Sequence, residues 1–145
     1  MSRVLVVTMA DGVMAMPGQK FFVLGGGFDN LHAASFPAVF TRISLLLALE
    51  IEAGSDVKVV CRVVLRPKNE GAEILNITMN FTRNGNFDHP TVAWQGLNLP
   101  PLSLAGPGPL ILEAACGDSR FASQFEVIGP PTPIFPAPGN GTSFN

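Results

Sequence analysis

Apolar side chains recur at every second position in three successive segments of this chain, and this pattern limits the fold more than any other feature. In residues 42–52 apolar side chains fill every odd position, whereas the even positions include Arg42 and Glu50. Residues 57–66 and 73–83 repeat the alternation. A period of two places one set of side chains on a core and the other in solvent, as in antiparallel strands. The apolar set of the first segment is Ile43, Leu45, Leu47, Leu49 and Ile51.

Five further segments have the composition of strands and end at turn residues. The last two form the clearest hairpin, joined across Gly117–Ser119. No segment shows a sustained helical period with capping residues. The eight strands predict an all-β fold, an antiparallel β-sandwich that is jelly-roll-like or immunoglobulin-like, with a closed barrel as the alternative. The five further segments are residues 3–9, 21–24, 91–99, 110–116 and 120–128.

The composition changes after Gly129, where prolines alternate with glycines. Such a segment cannot pair as a central strand, and it has too few apolar residues to pack on its own. We therefore place a β-sandwich domain at residues 1–129 and an extended C-terminal arm at residues 130–145. Ile134, Phe135 and Phe144 are the candidate contact residues of the arm, because apolar side chains on an extended tail can insert into the groove of a neighbour.

Charged residues make up only 14% of the chain, where about a quarter is usual. Because a surface so poor in charge favours burial, we expect protein partners or self-assembly. The net charge of −2 and the singly scattered Lys and Arg predict no nucleic-acid partner. The sequence shows neither a signal peptide nor an apolar run long enough for a membrane helix. We therefore expect no membrane partner and a cytoplasmic location, or a virion location for a viral protein.

Residues that could perform chemistry are few. His32 and His89 lie near the carboxylates of Asp29 and Asp88 in loop-like segments, and they could hold a divalent metal if these loops met in space. Their spacing matches no metal-binding motif, so we predict exposed loop residues and no catalytic residue, metal or cofactor. The run Gly25–Gly27 is interpreted as a tight turn, because no helix follows it to form a phosphate-binding loop.

Polar uncharged side chains occupy the exposed positions of the segment 73–83. They can hydrogen-bond to a neighbour, and burying them costs less free energy than burying charges. We therefore predict an interaction surface here, formed by Asn76, Thr78, Asn80 and Thr82, which we call the Asn/Thr ladder. Trp94 shares a strand face with Val92 and is predicted to pack in the core. Cys61 and Cys116 are predicted to be buried free thiols, although the sequence leaves a disulfide open.

The segment Phe22–Asp29, with its three glycines, and the following Phe36-Pro37 resemble a family of small uncharacterised bacterial proteins. In that family, an apolar first strand, a strand ending in Gly-Gly with an aromatic-Asp pair, and a Phe-Pro precede a long alternating strand. The hairpin ending at Phe125–Val127 is similar to the closing hairpin of the family. The resemblance extends over residues 3–128 and implies a β fold, but the family has no known activity. The Pro-rich arm and the low charge depart from its pattern.

Together these features favour a non-enzymatic structural or interaction protein, a β-sandwich subunit that assembles with itself or a larger complex through its arm. Virion coat and decoration proteins have this general composition. The alternative is a small-ligand or metal-binding module, which requires Asp29, His32, Asp88 and His89 to converge on one pocket. An enzyme ranks last, because the sequence contains no catalytic motif.

Overall fold

The computed structural model describes residues 2–16, 20–24, 30–69 and 71–130. This part of the chain contains strands and no helix, so the predicted all-β class is confirmed. All eight predicted strands are present, and four short ones were not predicted, because three to five residues are too few to show a period. The twelve strands are β1 (Ser2–Ala10), β2 (Gly12–Met16), β3 (Lys20–Leu24), β4 (Asn30–His32), β5 (Ala38–Phe40), β6 (Ser44–Ile51), β7 (Val57–Pro67), β8 (Leu75–Arg83), β9 (Thr91–Asn98), β10 (Leu102–Leu104), β11 (Gly108–Cys116) and β12 (Ser119–Ile128).

Two main sheets form the described structure. One has the order β1-β6-β9, and the other has the order β4-β12-β11-β7-β8. Neighbouring strands run antiparallel except β4, which lies parallel to β12. The chain changes sheets between β6 and β7 and again between β8 and β9, as in immunoglobulin-like sandwiches. The strand pairs β2-β3 and β5-β10 form two smaller sheets.

The hydrophobic core draws on both main sheets, and β6 contributes most to its centre. All five odd-numbered apolar side chains of residues 43–51 are buried, as predicted. Ser44, Leu46 and Ala48 at even positions are also buried, although we expected that face to be in solvent. The backbone of β2 lies close to β6 and β9. The alternation of exposed and buried side chains therefore holds for β7 and β8 but not for β6.

A tight hairpin joins β11 to β12. Cys116 pairs with Ser119, so the loop consists of two residues, and Gly117 has a φ of 57°. A positive φ is inexpensive for glycine and suits the turns that join antiparallel strands. The hydroxyl Oγ of Ser119 accepts a hydrogen bond from the backbone N–H of Val4 at 2.9 Å. This bond connects the two main sheets at the turn.

The two cysteines lie side by side across β7 and β11. Ala115 pairs with Arg62, so Cys116 and Cys61 are the next residues along the two strands. Both are buried free thiols, in agreement with the prediction. Burial raises the pKa of the Cys61 thiol to about 12, and its hydrogen bond with Cys116 adds to the shift. Because the thiolate is the reactive form, Cys61 is unreactive in the folded state near neutral pH.

Candidate interaction surface

Two neighbouring strands of the sandwich have open edges. β8 ends the five-stranded sheet and β9 ends the three-stranded sheet, and no strand within the described ranges pairs with either edge, although the backbone of β2 lies close to β9. A groove of about 350 Å³ lies between them. We call these two edges and the groove the β8–β9 side. The groove is lined by Asn80, Phe81, Thr82, Val92, Ala93, Trp94 and Gln95.

The Asn/Thr ladder lies along β8, and all four of its side chains are exposed. Asn76 accepts a hydrogen bond from Nε of Arg62 at 3.0 Å and donates one to Oε2 of Glu73 at 2.8 Å. Natural edge strands are usually protected against pairing by proline, bulges or charged side chains, especially lysine. Residues 75–82 contain no proline and no charged residue. β8 therefore presents a long edge without these protections.

Trp94 lies on the outer side of β9, so its predicted core position is wrong. Its exposed fraction is 47%, and that of Val92 is 46%. The core-facing positions of this strand are occupied instead by Ala93 and Leu97, which pack against the core cluster. The prediction placed Val92 and Trp94, the larger apolar residues of this strand, on the core face. They lie on the opposite face, because a terminal strand can leave its larger apolar residues exposed. An exposed tryptophan beside a groove is typical of a binding surface.

Gln95 places an unpaired polar atom at the groove. Its Oε1 is buried and accepts no hydrogen bond from the described residues. Leaving such an acceptor unpaired costs about 1–3 kcal/mol.

Arg83, which sequence reasoning missed, lies next to the groove in sequence and is hydrogen-bonded to three other segments. Its buried side chain donates from Nη1 to Thr91 Oγ1 at 3.0 Å and to the carbonyl of Ile51 at 3.3 Å. Nη2 donates to the carbonyl of Ser55 at 3.2 Å, and the guanidinium lies 4.9 Å from the centre of the Phe87 ring. These contacts join the end of β8 to the start of β9. Its position in the alternation, in phase with Met79 and Phe81, was the signal in the sequence that could have placed it on the buried face.

The histidines predicted as an alternative site lie far apart. His32 pairs with Ile128 at one end of the five-stranded sheet. This is the end at which β8 begins with Leu75. Asp88 and His89 follow the opposite end of β8 and contact each other at 2.7 Å on the surface. Among residues 2–16, 20–24, 30–69 and 71–130, no cluster of three or more His, Cys, Asp or Glu could hold a metal. These side chains therefore do not form one site.

Several predictions concern residues outside the described ranges. They include the turn at Gly25–Gly27, the carboxylate of Asp29, and the arm residues Ile134, Phe135 and Phe144. Of the predicted arm, only Pro130 is described. The boundary between domain and arm therefore stays a prediction.

The strand order of the described residues is that of an immunoglobulin-like β-sandwich domain, in which β8 and β9 are terminal strands of their sheets. The chain belongs to a family of unknown function, DUF6941, whose family model matches residues 5–124. This match confirms the predicted resemblance to a family of uncharacterised proteins. No curated protein matches the chain.

A similar solved structure is the "Pseudomonas fluorescens alkylpurine DNA glycosylase AlkC bound to DNA containing an abasic site analog". The sequence identity is 12% and the TM-score is 0.42, and the match covers 84% of this chain and 30% of that chain. This chain therefore corresponds to less than a third of that protein. At this similarity, the activity of the glycosylase does not transfer to this chain.

The partner prediction excluded nucleic acid, and this DNA-bound neighbour contradicts that exclusion without giving this chain a nucleic-acid partner of its own. The exclusion relied on basic residues that stand singly in the sequence. The fold gathers four of them on the outer face of the five-stranded sheet. Lys58, Arg62 and Arg66 follow one another on β7, and Arg120 lies in the same row as Arg62. Spacing along the chain therefore does not decide how charge is arranged on the surface.

The described ranges contain no helix with the length and apolar character needed to cross a membrane.

Proposed function

We propose that the chain is a non-enzymatic structural or interaction domain, a β-sandwich subunit that assembles with itself or with a larger complex. Its contact surface in this proposal is the β8–β9 side, and the C-terminal arm at residues 130–145 adds a second point of attachment. The observation that supports it most is the unprotected edge of β8 beside the exposed Trp94. Edge strands of this kind recruit further strands through main-chain hydrogen bonds.

The groove between the edges supports the same proposal. Trp94 and Val92 offer exposed apolar area beside it. Arg83 holds the two strands at a fixed separation, so the surface is formed before a partner arrives. A preformed surface loses less conformational entropy on binding. An apolar anchor beside satisfiable polar groups is the usual composition of an interaction hot spot.

The proposal includes a cellular setting. A cytoplasmic protein of a bacterial family, or a virion coat or decoration subunit, would use such a domain as a building unit. Low charge favours association, and only 14% of this chain is charged.

Site-specific photo-crosslinking in the cells that naturally produce this protein tests the proposed function. Benzoylphenylalanine is placed at the position of Val92 on β9 or, as the control, at the position of Ala122, an exposed residue on the outer face of β12. We expect covalent products from the Val92 position and few from the control, and their mass distinguishes self-assembly from a different protein. Products of equal yield from both positions, or none from Val92, would contradict the proposal.

A further inference from the structure

We infer that two copies of this chain pair through β8 in an antiparallel arrangement, with Met79 of each copy at a two-fold axis. The inference rests on the proposed function and names the partner of the same surface. The nine residues of β8 run from Leu75 to Arg83, and Met79 is the central one. With the axis at Met79, every residue of β8 lies opposite a residue of β8 in the second copy. A two-fold axis also makes the interface closed and self-complementary.

This register matches the Asn/Thr ladder to itself. Thr78 lies opposite Asn80 of the second copy, and Asn76 lies opposite Thr82 of the second copy. Each amide therefore faces a hydroxyl on the same face of the joined sheet, and such polar cross-strand pairs favour pairing. A shift by one residue would place the ladder opposite core-facing side chains, so the hydrophobic pattern excludes it.

The charges on β7 are compatible with this arrangement. Within one copy, Arg62 pairs with Thr78 and Lys58 pairs with Thr82. Across the axis the row of Arg62 continues to Val60 of the second copy, because Val60 pairs with Asn80. The row of Lys58 continues in the same way to Val64 of the second copy, which pairs with Asn76. No two cations of β7 therefore share a row across the interface.

A second copy also suits the free backbone groups of β8. One edge of this strand pairs with β7, and no described strand pairs with the other. An antiparallel copy would satisfy the open edge along its full length, as in strand addition to other sheets. Because a single strand pair buries little area, we expect a dissociation constant on the order of micromolar.

Sedimentation velocity of the full chain from about 1 to about 200 µM tests the inference, because mass action shifts a dimer across such a range. We expect a concentration-dependent dimer. The double variant Thr78→Lys/Asn80→Lys places lysines opposite each other and should weaken dimerisation at least about tenfold. Thr78→Lys/Asn80→Glu places opposite charges in the same pairs and should remain within about threefold of the wild type.

The control variant Ala122→Lys adds one charge on the outer face of β12 and should dimerise like the wild type. Near-UV circular dichroism of each variant checks that the fold is retained. A wild-type chain that stays monomeric throughout, or a Lys/Glu variant as weak as the Lys/Lys variant, would overturn the inference. If the chain is monomeric but Val92 still crosslinks to a different protein, the proposed function stands and this inference fails.

Discussion

Replacing Arg83 with methionine should destabilise the sandwich substantially, because the guanidinium joins β8, β9 and the loop after β6. Arg83→Met keeps much of the side-chain volume but removes the three hydrogen bonds to Ile51, Ser55 and Thr91. Hydrogen bonds from a charged donor contribute about 1.5–3 kcal/mol each. The loss is offset in part because the buried charge, with its unpaired Nε, no longer has to be desolvated.

We therefore expect the free energy of unfolding to fall by about 2–4 kcal/mol. For a domain of this size the melting temperature should fall by about 5–15 °C. The matched control is Arg120→Met, because Arg120 is exposed and contacts only Glu113 at 3.3 Å among the described residues. Exposed ion pairs contribute about 0–1 kcal/mol.

Urea denaturation, followed by the emission of the single tryptophan, measures the effect. All variants are compared at one low protein concentration, so that self-association does not contribute to stability. Trp94 should also report a looser groove as a change of native emission in Arg83→Met alone. Equal destabilisation by the two substitutions, or a loss below about 0.5 kcal/mol for Arg83→Met, would refute the role assigned to this arginine.

Three further substitutions or conditions test the fold. The pKa of Cys61 rises from 9.0 to about 12 on folding. The protonated thiol therefore stabilises the folded state below pH 9, and this stabilisation is lost as the pH rises towards 12. Cys61→Ala should flatten this pH dependence of the unfolding free energy in urea titrations, and an unchanged pH dependence would contradict the shift. Gly117→Ala should cost about 1 kcal/mol, because φ is 57° there, whereas Gly106→Ala meets open space and should be nearly neutral in thermal melts. Leu47→Ala should cost about 2–5 kcal/mol at the centre of the core, and a loss below 1 kcal/mol would contradict its full burial.

The alternation in the sequence predicts the sheets correctly where one face meets the core and the other meets solvent. β7 and β8 show this pattern, and their exposed and buried positions agree with the sequence. β6 departs from it, because Ser44, Leu46 and Ala48 on its second face are also buried, and the backbone of β2 lies close to this strand. Burial of the second face of a strand by a segment distant in the sequence cannot be predicted from the residues of the strand itself.

The candidate surface could be predicted only in part. The sequence places the Asn/Thr ladder on an exposed face, but it does not show that β8 ends its sheet. Edge position depends on the strand order, which results from contacts between segments far apart in the chain. The same is true of Trp94, whose exposure follows from the edge position of β9, and of Arg83, whose acceptors Ile51 and Ser55 lie roughly 30 residues earlier.

Hydrogen–deuterium exchange of the peptide that contains β8 is the sharpest test of whether this strand pairs with a second copy, because an open edge exchanges its free amides quickly. The wild type and the Thr78→Lys/Asn80→Lys variant are compared at the same high protein concentration. We expect slower exchange of residues 75–83 in the wild type, with equal exchange of β12 in both proteins. Identical uptake along β8 in the two proteins would contradict it.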